Sequence, residues 1–213
     1  MAIKPYKKGS AEFVTDNFRA REFDCPGKGC CTETLVSTVT AGYLQQIREH
    51  FGEPIPGPTG YRCPTHNAKV PNASKTSLHT QGRAVDFHIP GVPPVEVAQY
   101  AESIGVLGIG LYDDFVHIDD RKKKSFWIGH EQKAVSTFGG SAYTLNFAVL
   151  RKGDKGEDVR ALQILLKGRG CNVGATGNFG SGTVSALNKF KKETGLTPDG
   201  IVDKDTMSAL LGV

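Results

Sequence analysis

The chain of 213 residues contains no apolar run approaching the roughly 18 residues of a membrane-spanning helix, so a bilayer span is not expected. It also lacks an apolar stretch behind the charged segment Met1–Ser10, which speaks against a Sec-type signal peptide. No dense basic stripe is present. The net charge is +4, and the basic run Arg121-Lys122-Lys123-Lys124 is short enough to read as a solvated turn, so nucleic acid is not an expected partner. The five cysteines are odd in number and no signal peptide is expected, which argues against a full disulfide framework, while the lack of a C-x-x-C pair weakens a metal site. Cys25, Cys30, Cys31 and Cys63 read first as reduced thiols, with one disulfide or a structural metal site as alternatives. What is present is ordinary for a globular chain: 38% apolar and 23% charged residues, with length for one large domain or two small ones.

Along the chain, residues 1–24 read as a loosely structured arm with Phe13, Val14, Phe18 and Phe23 as anchors. A glycine-rich loop carries Cys25–Cys31. Thr32 or Thr34 is a candidate cap for a helix whose apolar face is Leu35, Val39, Tyr43, Leu44 and Ile47. Pro54, Pro56 and Pro58 stop it. Thr59–Pro64 reads as a short strand running into a turn, with Arg62 at its end. Ala84–Ile89 alternates as a strand that places Ala84, Asp86 and His88 on one face. A helix after Pro93-Pro94 buries Val95, Val97, Ala98, Ala101 and Ile104. Gly105–Gly110 is a glycine-broken connection, and Gly108–Tyr112 reads as a short strand. Phe115–Asp119 is a further strand, with Phe115, His117 and Asp119 sharing a face. Gly139-Gly140-Ser141 is the best linker candidate. Beyond it lie three short helices around a leucine core, with Asp203 as N-cap of the last.

Two positions stand out chemically. Asp86 and His117 each sit mid-strand between apolar neighbours, where an unpartnered polar group is costly to bury. His79 lies seven residues before Asp86, across a glycine turn. Two imidazoles and a carboxylate are ligand types that a catalytic zinc accepts, with a fourth position left for water. One Zn²⁺ is therefore the expected cofactor, held by His79, Asp86 and His117, with His88 as an alternative ligand or supporting group. Asp114, three residues before His117, is the candidate general base, and Asp113 is its rival. The Arg62 guanidinium suits a substrate carboxylate or carbonyl oxygen. Ser77 and His66 join Arg62 as candidate substrate contacts.

These residues resemble a known family. The stretches Gly60-Tyr61-Arg62-Cys63-Pro64 with Asn67, then Ser77-x-His79-x-x-Gly82-x-Ala84-x-Asp86, then Asp114-x-x-His117-Ile118-Asp119, are similar to the zinc D-alanyl-D-alanine carboxypeptidase family. That family includes the L-alanyl-D-glutamate endopeptidases of phage endolysins. The resemblance covers roughly residues 12–125. It implies an α+β fold with a small antiparallel sheet, His79, Asp86 and His117 as zinc ligands, Asp114 as general base, and Arg62 at the scissile carbonyl or a substrate carboxylate. Some family members carry glutamate where this chain has Asp114. Separately, Leu150-x-x-Gly153-x-x-Gly156-x-x-Val159-x-x-Leu162-Gln163, Phe179-Gly180-x-x-Thr183 and Gly195-Leu196-x-x-Asp199-Gly200-Ile201-Val202 resemble a three-helix peptidoglycan-binding module.

The expected organisation is a peptidase domain over residues 1–138, a linker over 139–148 and an all-α module over 149–213. The expected activity is that of a monomeric zinc peptidase of the bacterial cell wall, hydrolysing a stem-peptide amide bond of D-Ala-D-Ala carboxypeptidase or L-Ala-D-Glu endopeptidase type. Peptidoglycan is the expected partner. Synthesis in a host cytoplasm, with holin-dependent release if phage-encoded or another export route, is the expected path to the wall. Two other classes compete: a wall-binding protein with a degenerate peptidase domain, and a thiol-metal or nucleic-acid protein built on the cysteines and the lysine run.

Overall fold

The computed structural model describes residues 3–71, 73–130, 132–138 and 149–212. The linker expected over 139–148 lies outside the described residues. The N-terminal arm is more ordered than its composition implies. Strand β1 (Ile3–Lys7) pairs antiparallel with β2 (Glu33–Ser37), in a register running from Ile3 opposite Ser37 to Lys7 opposite Glu33. The expected helix start at Thr32 or Thr34 is thus displaced. Thr34 and Val36 alternate inward as a strand, both fully buried. Ser37 then caps helix α1 (Thr38–Phe51), its side chain accepting from the Thr40 amide, and Gly52 in the left-handed conformation closes it. The inward face of α1 is Ala41, Leu44 and Ile47, all excluded from solvent.

Thr59–Pro64 is not a strand. A single antiparallel bridge joins Thr59 to Asp86, and the one-turn helix α2 (Pro64–Asn67) follows at once. The main sheet uses β3 (Ala84–Phe87), β4 (Gly108–Leu111), β5 (Val116–Asp119), β6 (Ser125–Ile128) and β7 (Lys133–Val135), in the spatial order β3-β5-β4-β6-β7. Pairing is antiparallel except between β4 and β6, which run parallel. The exception follows from the order: β6 comes after β5 but returns on the far side of β4, so it shares the direction of β4.

Register decides which residues share a face. Val85, Ile118, Ile109 and Phe126 stand in one cross-strand row on the face packed against helix α3 (Pro94–Ser103), with α1 behind. The adjacent row is Asp86, His117, Gly110 and Trp127, and it must point to the opposite face. The polar residues flagged in the sequence therefore share one side of a sheet whose other side is the core.

The C-terminal part is all-helical. It contains α4 (Glu157–Gly168), α5 (Ser181–Glu193) and α6 (Lys204–Leu211), the last capped by Asp203, which accepts from the Thr206 amide at 2.8 Å. Val159, Leu162, Leu165 and Leu166 form the inner face of α4, as their spacing predicts. Buried Gln163 ties the loops together, donating to Thr183 Oγ1 (2.9 Å) and the Asn178 carbonyl (3.0 Å) and accepting from the Gly177 amide (2.8 Å). This part touches the sheet domain through Lys167–Asp113 and Arg169–Glu96 ion pairs, both at 2.6 Å, and through Gln99, which donates to the Leu211 carbonyl.

Candidate metal centre

Three short elements deliver three donor atoms to one point. His79 lies in a 3-10 turn (Leu78–Gln81) that ends at Gly82. Gly82 has φ +67°, and a Cβ there would lie 2.2 Å from the Leu35 carbonyl oxygen, so no side chain fits. The Gly82 carbonyl in turn accepts from the Ser37 amide at 2.7 Å, which ties the turn to the start of α1. Asp86 and His117 are direct cross-strand partners on β3 and β5.

His79 Nε2 lies 3.2 Å from His117 Nδ1 and 3.2 Å from Asp86 Oδ1, and His117 Nδ1 lies 2.7 Å from Asp86 Oδ1. Zinc held tetrahedrally by nitrogen and oxygen at about 2.0–2.2 Å separates its donors by roughly 3.3–3.6 Å. All three edges fall short of that range, the two 3.2 Å edges only slightly and the 2.7 Å Asp86–His117 edge more, so a modest opening of the triangle, chiefly at the carboxylate, seats the ion. The donor chemistry fits zinc: neutral imidazole and carboxylate, with hard cations disfavoured by the two nitrogens. The other ring nitrogens are also engaged. His79 Nδ1 donates to the Gly60 carbonyl (2.7 Å), which leaves Nε2 as the lone-pair donor. His117 Nε2 donates to Asp119 Oδ2 (3.1 Å), which leaves Nδ1.

Asp119 is the supporting residue that sequence reading placed on the right face but gave no role. It is completely buried, and Arg121 clamps it through Nη2 (2.5 Å), Nε (2.7 Å) and its backbone amide (3.0 Å). Burial opposes its ionisation, but His117 and Arg121 outweigh that and hold its carboxyl well below the usual carboxylate range. Two glycines of β4 make the room. A Cβ at Gly108 would strike the Asp119 carboxylate at 2.0 Å, and one at Gly110 would strike the Trp127 ring at 2.6 Å. Trp127 then lies against His117, with ring centroids 5.3 Å apart, and donates through Nε1 to the Tyr112 hydroxyl. Replacing Asp119 by Asn should loosen the imidazole. We expect zinc affinity to fall about 10–100-fold, read by competition with a chromophoric chelator. Unchanged affinity would remove Asp119 from the centre.

Asp86 is likewise held in its anionic form. Desolvation raises its pKa, but the two histidines pull it far below the ordinary value. For His117, burial lowers the pKa while Asp119 and Asp86 raise it more, to about 9 from an ordinary 6.5. In the metal-free chain this imidazolium stabilises the fold most fully below about pH 6.5, and the contribution is lost as pH rises through about 9. The melting temperature of chelated protein should therefore fall between those values. A profile that is flat or rises over that window contradicts the assignment. Zinc competes with the same proton, so its affinity should rise over the window.

The centre lies in an open cleft. Ser74, Thr76, Ser77 and Leu78 line it, as do Tyr112, Phe115, Trp127 and His130. Arg62 reaches it: its amide donates to the His79 carbonyl (3.1 Å), and its Nη2 lies 3.6 Å from Asp86 Oδ2. Arg121, Lys122, Lys123 and Lys124 also line it, so the run read as a solvated turn gives the cleft a basic wall. Asp113 and Asp114 occupy the bend between β4 and β5. Asp113 is engaged by Lys167, while Asp114 is exposed and is not among the cleft-lining residues. Two candidates fall elsewhere. His66 turns its ring toward Gly27 and the cysteines, and His88 is exposed beyond the end of β3.

Residues 11–119 match the family described as Peptidase M15, and residues 155–210 match the one described as putative peptidoglycan binding domain. Among curated proteins, the chain is 39% identical over 66 residues to the probable peptidoglycan L,D-endopeptidase MepK of Haemophilus influenzae, covering 28% of this chain and 36% of that protein. It is 38% identical over 95 residues to peptidoglycan L,D-endopeptidase MepK of Escherichia coli, covering 39% of this chain and 52% of that protein. The chain thus spans between about a third and about half the length of these curated relatives. Among solved structures, a Burkholderia AP3 phage endolysin is 38% identical over 30% of this chain and 24% of its own, with a TM-score of 0.29. A peptidoglycan-binding protein from Clostridioides difficile is 44% identical over 30% of this chain and 40% of its own, also with a TM-score of 0.29.

Proposed function

We propose, for a chain that belongs to the Peptidase M15 family, that it is a zinc-dependent peptidase of bacterial peptidoglycan. The observation that carries this reading is the convergence of His79 Nε2, Asp86 Oδ1 and His117 Nδ1 within 3.2 Å of one another. A degenerate, purely wall-binding domain would have no reason to keep that triangle, nor the Asp119 and Gly60 contacts that orient its rings.

His79, Asp86 and His117 hold the ion. When bound, zinc supplies Lewis acidity and draws down the pKa of a water toward neutrality. The protein supplies the rest. Arg62 donates its guanidinium hydrogens to the scissile carbonyl oxygen or to a substrate carboxylate, a role its planar fork suits. Asp114, exposed beside the cleft in this structure, would turn toward it to take a proton from the attacking water and return it to the leaving amine. Of the two carboxylates in that bend, Asp113 is bound to Lys167, which leaves Asp114 for this work. Asp119 keeps His117 in the ligating tautomer. Ser77 contributes to the substrate wall, and Lys122 and Lys123 on the cleft's basic side match the carboxylates of a stem peptide.

Residues 149–213 act as the wall-binding module and residues 1–138 as the peptidase, joined through 139–148. Of the two bond types open to this chemistry, endopeptidase cleavage on the L,D pattern is favoured by the names that the curated relatives bear. The full chain should release muropeptides from purified peptidoglycan, stop in the presence of a chelator, and resume when Zn²⁺ is restored. Mass spectrometry of the products identifies the bond. Release that persists through complete zinc removal would end the metallopeptidase reading, and release of free D-alanine alone would replace the endopeptidase reading with a carboxypeptidase.

A further inference from the structure

A second cluster of metal-ligating side chains lies outside the cleft. Cys25, Cys30, Cys31 and Cys63 bring their four sulfurs within 4.8 Å of one another. Cys25 Sγ and Cys30 Sγ are 3.6 Å apart, and Cys30 Sγ and Cys31 Sγ are 3.9 Å apart. A disulfide requires about 2.05 Å, so neither pair is bonded. Four thiolates around one zinc at about 2.3 Å stand roughly 3.8 Å apart along each edge of the tetrahedron, which is where these two edges lie.

The surroundings point the same way. Cys25 and Cys63 are buried while Cys30 and Cys31 are half-buried, so the cluster lies just under the surface. Backbone amides aim at the sulfurs: the Cys63 amide donates to Cys25 Sγ and the His66 amide to Cys63 Sγ, both at 3.4 Å. Such donors temper the negative charge of thiolates on a metal. A Cβ at Gly27 would lie 2.4 Å from Cys30 Sγ and 2.9 Å from His66 Nδ1, so glycine there is what lets the loop close. The loop has little else to hold it. Its apolar surroundings are a small patch of Tyr61 and Leu35 around the thiols themselves, separate from the main core. A chain segment with two glycines and so little apolar surface does not order itself by burial.

We propose that Cys25, Cys30, Cys31 and Cys63 bind a second zinc ion as a closed, four-thiolate structural site. The missing C-x-x-C spacing does not forbid it, because adjacent Cys30 and Cys31 supply one side and the distant Cys25 and Cys63 the other. The site pins the 25–31 loop to residue 63, which directly follows Arg62 and starts α2. It thereby fixes the floor from which Arg62 reaches the cleft. Binding releases the thiol protons to solvent, and no electron transfer is involved. The inference stands independently of the peptidase reading.

Metal analysis of the full chain, purified without reductant or added chelator, should find two zinc ions per chain. His79→Ala should retain one of them. Cys25→Ser combined with Cys63→Ser should lose one, while Cys171→Ser, a buried thiol far from the cluster in sequence, should lose none. Should the double variant not fold, cobalt exchange into the wild-type chain decides the matter, because a four-thiolate site gives an intense sulfur-to-cobalt charge-transfer band that the histidine-carboxylate centre cannot give. A single zinc per wild-type chain that disappears in His79→Ala, absence of the charge-transfer band, iron in place of zinc on the sulfurs, or a Cys25–Cys30 disulfide in peptide mapping would each overturn the proposal.

Discussion

Replacing His117 by Ala is expected to abolish peptidase activity and to remove one bound zinc. His117 is the middle of the centre: it contacts His79, Asp86 and Asp119, and its loss takes away one ligand and leaves two carboxylates without their shared partner. Metal activation contributes several kcal/mol of transition-state stabilisation, so kcat/KM should drop on the order of 10⁴-fold or to background. Thermal stability should also suffer, because Asp119 is fully buried and, among the described residues, would keep only Arg121 as a counter-charge. Zinc content and muropeptide release measured on the same preparation check both parts. A variant that keeps its zinc and turns over at a normal rate would show that the ion sits elsewhere.

Replacing Asp114 by Asn is expected to give a different signature. Zinc content should be unchanged, because Asp114 is not one of the converging donors. Turnover should fall by about 10²–10⁴-fold, the usual worth of a positioned general base, while KM changes little. Asn is nearly the same size but cannot accept a proton at neutral pH. The variant therefore isolates proton transfer from shape. The matching change Asp113→Asn removes the Lys167 contact instead, and serves as the comparison within the same bend. Near-normal turnover in Asp114→Asn, with zinc in place, would assign the base role to another group.

The two variants probe residues that the sequence presented with unequal clarity. Asp86 and His117 were legible because a carboxylate and an imidazole in mid-strand, between Val85 and Phe87 or Val116 and Ile118, need a reason to be there. The strand period of two put Asp86 on a face with Ala84 and His88, and His117 on a face with Phe115 and Asp119; the register then makes the two direct partners. The helices from Glu157 onward were legible from the leucine spacing and the Asp203 cap.

What stayed hidden depended on pairing across long stretches of chain. The β1–β2 ribbon joins residues about thirty positions apart, and the largely exposed β1 shows no apolar alternation to announce it. Leu35 therefore merged with the helical pattern that follows. Gly108 and Gly110 fall in a stretch that reads as a short strand, but the reason for glycine there, space for Asp119 and Trp127, exists only once β4 lies beside β5 and β6. The lysine run and His66 failed in opposite directions for the same reason. Sequence gives neighbours along the chain, while only the fold decides that Lys122 and Lys123 line the cleft and that His66 turns to the thiols.

Anomalous diffraction at the zinc edge, on crystals of the unmodified chain, tests the centre most directly. A peak should appear about 2.0–2.2 Å from His79 Nε2, Asp86 Oδ1 and His117 Nδ1 together. No peak among those three atoms in a zinc-replete crystal, or a peak held by other side chains, would contradict the account.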